Sequence, residues 1–377
     1  MNIMFKTTSS CNANCIYCFD KISQDNKRKL MPLNELKEIF THLCSWDNYI
    51  DWCWHGGEPT LAGVEYMDDA MYAMKEIARD HNVEVRFTIQ TNGIVLNQDW
   101  FDLFDKYQVG LGMSYDGVNS LQSRGYISQA QKDKLMRNAG LIYIINPFNI
   151  DKLIEDYKII NEKGHNLSIN WVFPLDGQTP AQIWNNDLET AVQKYLDYLD
   201  YYLWDKNGRL YERMAVDWIL HSLNKPVDTC VFANCWATDL FGIDYNGKLY
   251  KCDEIHRKEI SLGNVLDYPS MEEVRQHENI QKQHQCRDKW KETDCKDCEF
   301  SPSCMQGCYT RSLSESKGEH PYSFACYLTK KIVPHIYNQI SDLSPEEFLQ
   351  LNPIVKDTLI KWKYVPASLK EKYLCQQ

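Results

Sequence analysis

Hydrophobic and polar positions alternate with two periods over the first two-thirds of the chain. Leu33, Leu36, Ile39, Phe40 and Leu43 recur at helical spacing, and the run 49–54 that follows is strand-like. The order then repeats, with a helix over about 66–79, a strand over 83–90, and a short helix capped by Asp99 that ends near Tyr107. Further strands are expected at 109–114, 141–145 and 167–173, with a helix over 151–163 between the last two. The apolar stretch 3–5 is a candidate first strand. Strands separated by helices in this way predict right-handed crossovers and a parallel sheet. About six βα units can be counted, short of the eight that close a full barrel, so the expected fold is α/β with a partial (β/α)6 barrel.

A helix over 187–204 carries Tyr195, Tyr198, Tyr201 and Tyr202 without interleaved basic residues, which reads as aromatic packing of a covering helix. From about residue 225 the alternation gives way to Cys, Gly and polar turn residues. The expected domains are a barrel at 1–224, a cysteine-rich domain at 225–340 and a helical extension at 341–377. That extension opens on a capping box from Ser344 to Glu347. No run approaches 18 apolar residues and the first ten show no signal-peptide core, so a cytoplasmic protein without a membrane partner is expected. The formal net charge of −11 argues against a broad nucleic-acid surface.

Fifteen cysteines change the picture. A chain without an export signal does not keep such thiols as a disulfide framework. Cys44, Cys53 and Cys375 stand alone and suit small apolar packing. Cys11, Cys15 and Cys18 form C-x3-C-x2-C; Cys230, Cys235 and Cys252 lie mid-chain; Cys286, Cys295, Cys298, Cys304, Cys308 and Cys326 crowd the last third. Such spacing suits Zn2+ or iron–sulfur clusters. The first triplet directly follows the expected first strand, where loops of a parallel barrel reach the catalytic face. Three thiolates hold three irons of a [4Fe–4S] cluster and leave the fourth open, although a zinc site lacking one visible ligand has the same spacing.

Successive strand ends add polar motifs: His55-Gly56-Gly57-Glu58-Pro59, then Gln90-Thr91-Asn92-Gly93, then Ser114-Tyr115-Asp116-Gly117. The glycine pair permits close backbone approach, and Glu58 offers an acceptor to an ammonium group. One such motif is ordinarily a turn. Three at consecutive strand ends, all facing the cysteine loop, point to a site.

Cys11-Asn-Ala-Asn-Cys15-Ile-Tyr-Cys18 resembles the signature of radical S-adenosylmethionine (SAM) enzymes. Gly56, Gly57 and Glu58 look like the segment that receives the methionine amino group, and Asn92 and Ser114 fall at cofactor-contact positions. Arg124 resembles, at a looser spacing, the arginine found beyond the fourth strand. The resemblance implies that the open iron chelates SAM, whose reductive cleavage gives a 5′-deoxyadenosyl radical that abstracts hydrogen from the substrate.

Cys235, Cys252 and the run Cys295, Cys298, Cys304, Cys308, Cys326 resemble the SPASM module, which binds two auxiliary clusters. By that resemblance Cys230, Cys235, Cys252 and Cys308 hold the first, with Cys286 an alternative to Cys230. Cys295, Cys298, Cys304 and Cys326 hold the second. The implied cofactors are SAM and three [4Fe–4S] clusters, with paired four-thiolate zinc sites as the alternative. The implied substrate is a peptide or protein, modified by a cross-link or an oxidised side chain, and a flavodoxin or ferredoxin is the implied electron donor.

Anaerobic sulfatase-maturating enzymes, which form formylglycine, share the arrangement, and Asp253 matches their catalytic base. They typically carry Gln where this chain has His55 and Tyr where it has Asp20, two positions expected to face substrate. Trp54 to Pro59 looks more like enzymes that modify ribosomal peptides. No leader-binding domain fits before Cys11, so a separate leader-binding partner or direct binding in the barrel mouth is expected. A non-enzymatic zinc or cluster scaffold is the remaining alternative.

Overall fold

β-strands form where apolar residues occupy alternate positions. β2 shows the consequence most clearly, because its even positions Ile50, Trp52 and Trp54 are fully buried while Asp51, Cys53 and His55 are half-buried on the other face. In the computed structural model, residues 1–20, 29–125, 139–164, 166–174, 180–227, 239–253, 258–304 and 306–374 are described. The strands are β1 (Asn2–Lys6), β2 (Tyr49–His55), β3 (Glu84–Thr91), β4 (Gly110–Ser114), β5 (Gly140–Ile145), β6 (Leu167–Trp171), β7 (Leu240–Ile243), β8 (Lys248–Tyr250) and β9 (Ser261–Asn264).

Two compact units assemble from segments distant in sequence. The first comprises Met1–Ser114, Arg124–Ala139 and Asn234–Lys289, and the second Tyr115–Ser123, Gly140–Ala233 and Trp290–Gln377. In the first unit β1 to β4 pair in parallel, each with the next. Helices Leu33–Leu43, Val64–Asp80 and Gln98–Tyr107 cover the outer face of these strands. Phe40 meets Trp52 edge-on at 5.7 Å, and burying each such side chain contributes on the order of 1.5–3 kcal/mol. In the second unit β5 and β6 pair in parallel, and Tyr195 packs edge-on against Trp171 at 5.2 Å. Tyr195, Tyr198 and Tyr202 are fully buried, which is the expected packing role for helix Leu188–Trp204.

The parallel α/β pattern through β6 is the expected partial-barrel architecture. Several local expectations are corrected. Asn97, not Asp99, caps helix Gln98–Tyr107, because its side chain reaches the Trp100 amide at 3.3 Å. β6 stops at Trp171, two residues early, and a 3-10 turn at Ile150–Lys152 precedes helix Leu153–Lys163. Beyond residue 225 regular structure resumes: β7 adds in parallel to β1, and β8 and β9 continue antiparallel. Cys44 is buried, Cys53 lies half-buried on the inner face of β2, and Cys375 lies outside the described residues. The Ser344–Glu347 capping box forms. Among the described residues no helix is long and apolar enough to cross a membrane.

Candidate functional site

The C-terminal ends of β1 to β4 bring the first unit's motifs together. Register places Lys6 beside His55 and Gln90 beside Gly112, so one inner face carries Lys6, His55, Gln90 and Ser114. The Ser114 hydroxyl accepts from Gln90 Nε2 at 3.2 Å.

Gly56 and Gly57 have φ of 72° and 47°, in the left-handed region. A Cβ on Gly56 would stand 2.3 Å from Lys6 Cβ, and one on Gly57 would stand 2.2 Å from the Ser10 carbonyl oxygen. Only glycine lets this turn lie against the cysteine loop. The Glu58 amide then donates to the Ser10 carbonyl at 2.8 Å.

Glu58 is 1% exposed. One carboxylate oxygen accepts from the Thr60 amide at 3.0 Å and from the Thr60 and Thr91 hydroxyls, and the other accepts from the Asn92 amide at 2.7 Å. Burial pushes its carboxyl up, while those donors act in the opposite sense. Glu58 therefore joins the ends of β2 and β3.

The cysteine loop receives donors from two other segments. Asn92 Nδ2 lies 3.8 Å from Cys11 Sγ and 2.8 Å from Asn12 Oδ1. An Arg124 terminal nitrogen lies 3.8 Å from Cys15 Sγ, and the guanidinium stands 5.6 Å over the Tyr17 ring. Burial pushes the Cys11 thiol up to about 11, and Glu58, Cys15 and Cys18 add to the rise. Burial raises Cys18 as well, with Asp20 and Cys15 contributing. Burial and like charge thus oppose proton loss at Cys11 and Cys18, a balance that ligation of a metal reverses. Among the described residues no three His, Cys, Asp or Glu side chains form a shell for a single metal ion. The fit of the triplet to a cluster rests on its donor chemistry and on the N–H groups at the Cys11 and Cys15 sulfurs.

Asp253 accepts from the Cys252 thiol at 3.2 Å, and its charge reaches both Cys53 and His55. His55 Nδ1 is shielded from solvent without a hydrogen-bond partner. Burial lowers the His55 pKa, Lys6 adds to the fall, and the ring is neutral at neutral pH. Asp20 is 8% exposed, accepting from Lys6 Nζ at 2.8 Å and from the Gly57 amide at 3.3 Å.

In the second unit Cys295, Cys298, Cys304 and Cys326 act on one another. The Cys304 thiol is pushed up to about 12, first by burial and then by Cys326, Cys295 and Cys298. Cys308, in the same unit, is buried, and Cys252 and Cys286 are half-buried in the first unit. Cys230 and Cys235 lie outside the described residues. Sequence reasoning missed Lys6, Asn12, Thr60 and Thr91. Lys6 alone left a signal, as the third member of the alternate row Asn2, Met4, Lys6 on β1.

Comparison with known proteins gives consistent findings. Residues 5–164 match the family described as the Radical SAM superfamily. The cysteine-type anaerobic sulfatase-maturating enzyme of Clostridium novyi (strain NT) is 25% identical over 337 residues, covering 82% of this chain and 87% of that protein. The structure of native anSMEcpe with bound AdoMet matches with a TM-score of 0.76 at 20% identity, covering 89% of this chain and 97% of that one. Streptococcus suis SuiB bound to precursor peptide SuiA matches with a TM-score of 0.57 at 14% identity, covering 85% and 74%. These structural likenesses show a shared fold.

Proposed function

The chain carries a radical SAM domain over residues 5–164, and on that premise we propose that it is a peptide-modifying radical enzyme with two auxiliary clusters. The observation that carries this reading is the convergence of the β2 end, the β3 end and Arg124 on the Cys11, Cys15, Cys18 loop. The bound cluster and cofactor supply a 5′-deoxyadenosyl radical that removes hydrogen from a peptide residue, leaving a cross-link or an oxidised side chain.

The chain's own residues prepare that chemistry. Cys11, Cys15 and Cys18 hold the first cluster. Gly56 and Gly57 clear a path for the methionine end of SAM and Glu58 receives its ammonium, while Asn92, Ser114 and Arg124 hold the rest. Asp253 is the proposed base, His55 faces the substrate, and Asp20 holds Lys6, the cross-strand partner of His55. Cys295, Cys298, Cys304 and Cys326 hold one auxiliary cluster; Cys230 or Cys286, with Cys235, Cys252 and Cys308, hold the other. The division near residue 225 marks the start of the auxiliary domain in this reading, and a reducing compartment and a small electron donor complete it.

The C. novyi relative, matched over 82% of this chain, favours a second reading, formylglycine formation at a Cys or Ser. Reduced, cluster-loaded protein is incubated with SAM and a panel of peptides, including a sulfatase peptide and candidate ribosomal precursors. The proposal expects 5′-deoxyadenosine together with a mass change localised to one peptide residue. Replacement of sulfur by oxygen together with loss of two hydrogens at one Cys, or loss of two hydrogens within one Ser, selects the second reading, and loss of two hydrogens with a new bond between two residues selects the first. Absence of 5′-deoxyadenosine with every peptide overturns both.

A further inference from the structure

Lys6 is 2% exposed, a rare environment for an ammonium, and nothing in the strand-end motifs calls for it. Its stem passes beneath Gly56, and its Nζ reaches Asp20 at 2.8 Å and lies 5.1 Å from the centroid of the Phe19 ring. Asp20 stands two residues after Cys18, and its other oxygen accepts from the Gly57 amide. Three segments thus meet at one ion pair: the end of β1, the end of the cysteine loop and the glycine turn. A buried cation carries a large desolvation cost, which the Asp20 carboxylate and the ring face oppose.

We propose that Lys6 is a positioning residue that, through Asp20, fixes the Cys18 end of the loop against Gly57 and supplies the fixed positive charge that eases reduction of the cluster held there. This rests on the cluster reading of Cys11, Cys15 and Cys18, and is independent of which peptide is modified. Both members of the pair act electrostatically on Cys18, with opposite signs. A cluster gains negative charge on reduction, so the nearby ammonium favours the reduced state and the nearby carboxylate opposes it. His55, the cross-strand neighbour of Lys6, is neutral, and Asp253 is a further charge that acts on it.

The test is an EPR-monitored redox titration of the full, cluster-loaded chain, following the signal that added SAM perturbs, with iron content measured in parallel. Lys6→Met removes the cation with little change in length. At a fixed poise its ratio of reduced to oxidised cluster falls on the order of tenfold, which for one electron is 59 mV. Asp20→Asn retains the cation and removes its counter-charge, so the ratio moves the other way. Opposite signs are the signature, since a purely structural role shifts both variants alike or simply loses iron from both. If Lys6→Met fails to load iron, the sign of Asp20→Asn still decides. Wild-type ratios in both variants at full iron content overturn the inference while leaving the cluster reading intact. A wild-type chain with no SAM-responsive signal overturns the cluster reading itself.

Discussion

Cys11, Cys15 and Cys18 stand among donors brought to them by other segments, whereas Cys295, Cys298, Cys304 and Cys326 stand mainly against one another. Asn92 and Arg124 point N–H groups at the first set, and the Lys6–Asp20 pair braces its end. The second set gathers four thiols within one unit, with Lys330 the cation acting on Cys295 and Cys326. Three thiolates leave a cubane cluster one open iron, while four close it. On the proposed cluster reading, neighbouring segments would supply the orienting groups where the metal must accept a ligand, and burial would suffice where the shell is complete.

The largest expected effect breaks the first region. Cys11→Ala/Cys15→Ala/Cys18→Ala loses about four of roughly twelve irons and all 5′-deoxyadenosine formation, read by iron and sulfide analysis and by chromatography of the nucleoside. Cys304→Ala also loses about four irons, yet retains reductive cleavage of SAM while its peptide turnover collapses. If Cys304→Ala abolishes SAM cleavage as completely as the triple variant, the two regions are not separable in function and the comparison fails.

A smaller effect is a pH dependence contributed by the second region. His221 is 1% exposed, stacked on Trp218 in the second unit, and its carbonyl accepts from Ser303, the residue before Cys304. Burial holds it down to about 4 against an ordinary 6.5, opposed by a backbone hydrogen bond to Phe300. Between those values the unfolded chain binds a proton that the folded chain refuses. Stability is therefore retained above pH 6.5 and falls as pH drops through the window, by roughly 3 kcal/mol at its foot. Buried Glu212, raised to about 8, contributes the opposite slope over the same window, so urea unfolding followed by tryptophan fluorescence from pH 7 to 4.5 is read as a difference: on acidification His221→Gln is expected to hold its stability better than wild type. An unchanged slope in the variant assigns the acid sensitivity to other groups.

How much of this was legible in the chain follows from how local each feature is. The helix of Leu36, Ile39, Phe40 and Leu43 and the alternation of β2 are encoded within a few residues, and the sequence shows them directly. The cysteine triplet and the glycine pair are legible because spacing and residue type are themselves the requirement. β7 was not legible, because a four-residue strand acquires its meaning from pairing with β1, over 230 residues earlier. Thr60 and Thr91 are ordinary residues until the Glu58 carboxylate stands between them. Lys6 was passed over for a physical reason: lysine is expected at the surface, and only the Asp20 carboxylate makes its burial tolerable.

The smallest effect serves as the control for the others. Ser344 accepts from the Glu347 amide at 3.2 Å while Glu347 accepts from the Ser344 amide at 2.8 Å, on an exposed helix start outside both thiol groups. Ser344→Ala removes one side of that exchange and costs about 1 kcal/mol. Its urea midpoint falls modestly while iron content and nucleoside formation stay at wild-type values. That outcome ties the iron lost from Cys304→Ala to a missing ligand. If Ser344→Ala instead shed about four irons, general loosening of the second unit would explain both variants. Four thiols that hold a cluster only while the whole unit is at full stability would be a weaker site than four mutually coupled ligands imply, and the contrast with the braced N-terminal loop would become one of rigidity instead of coordination.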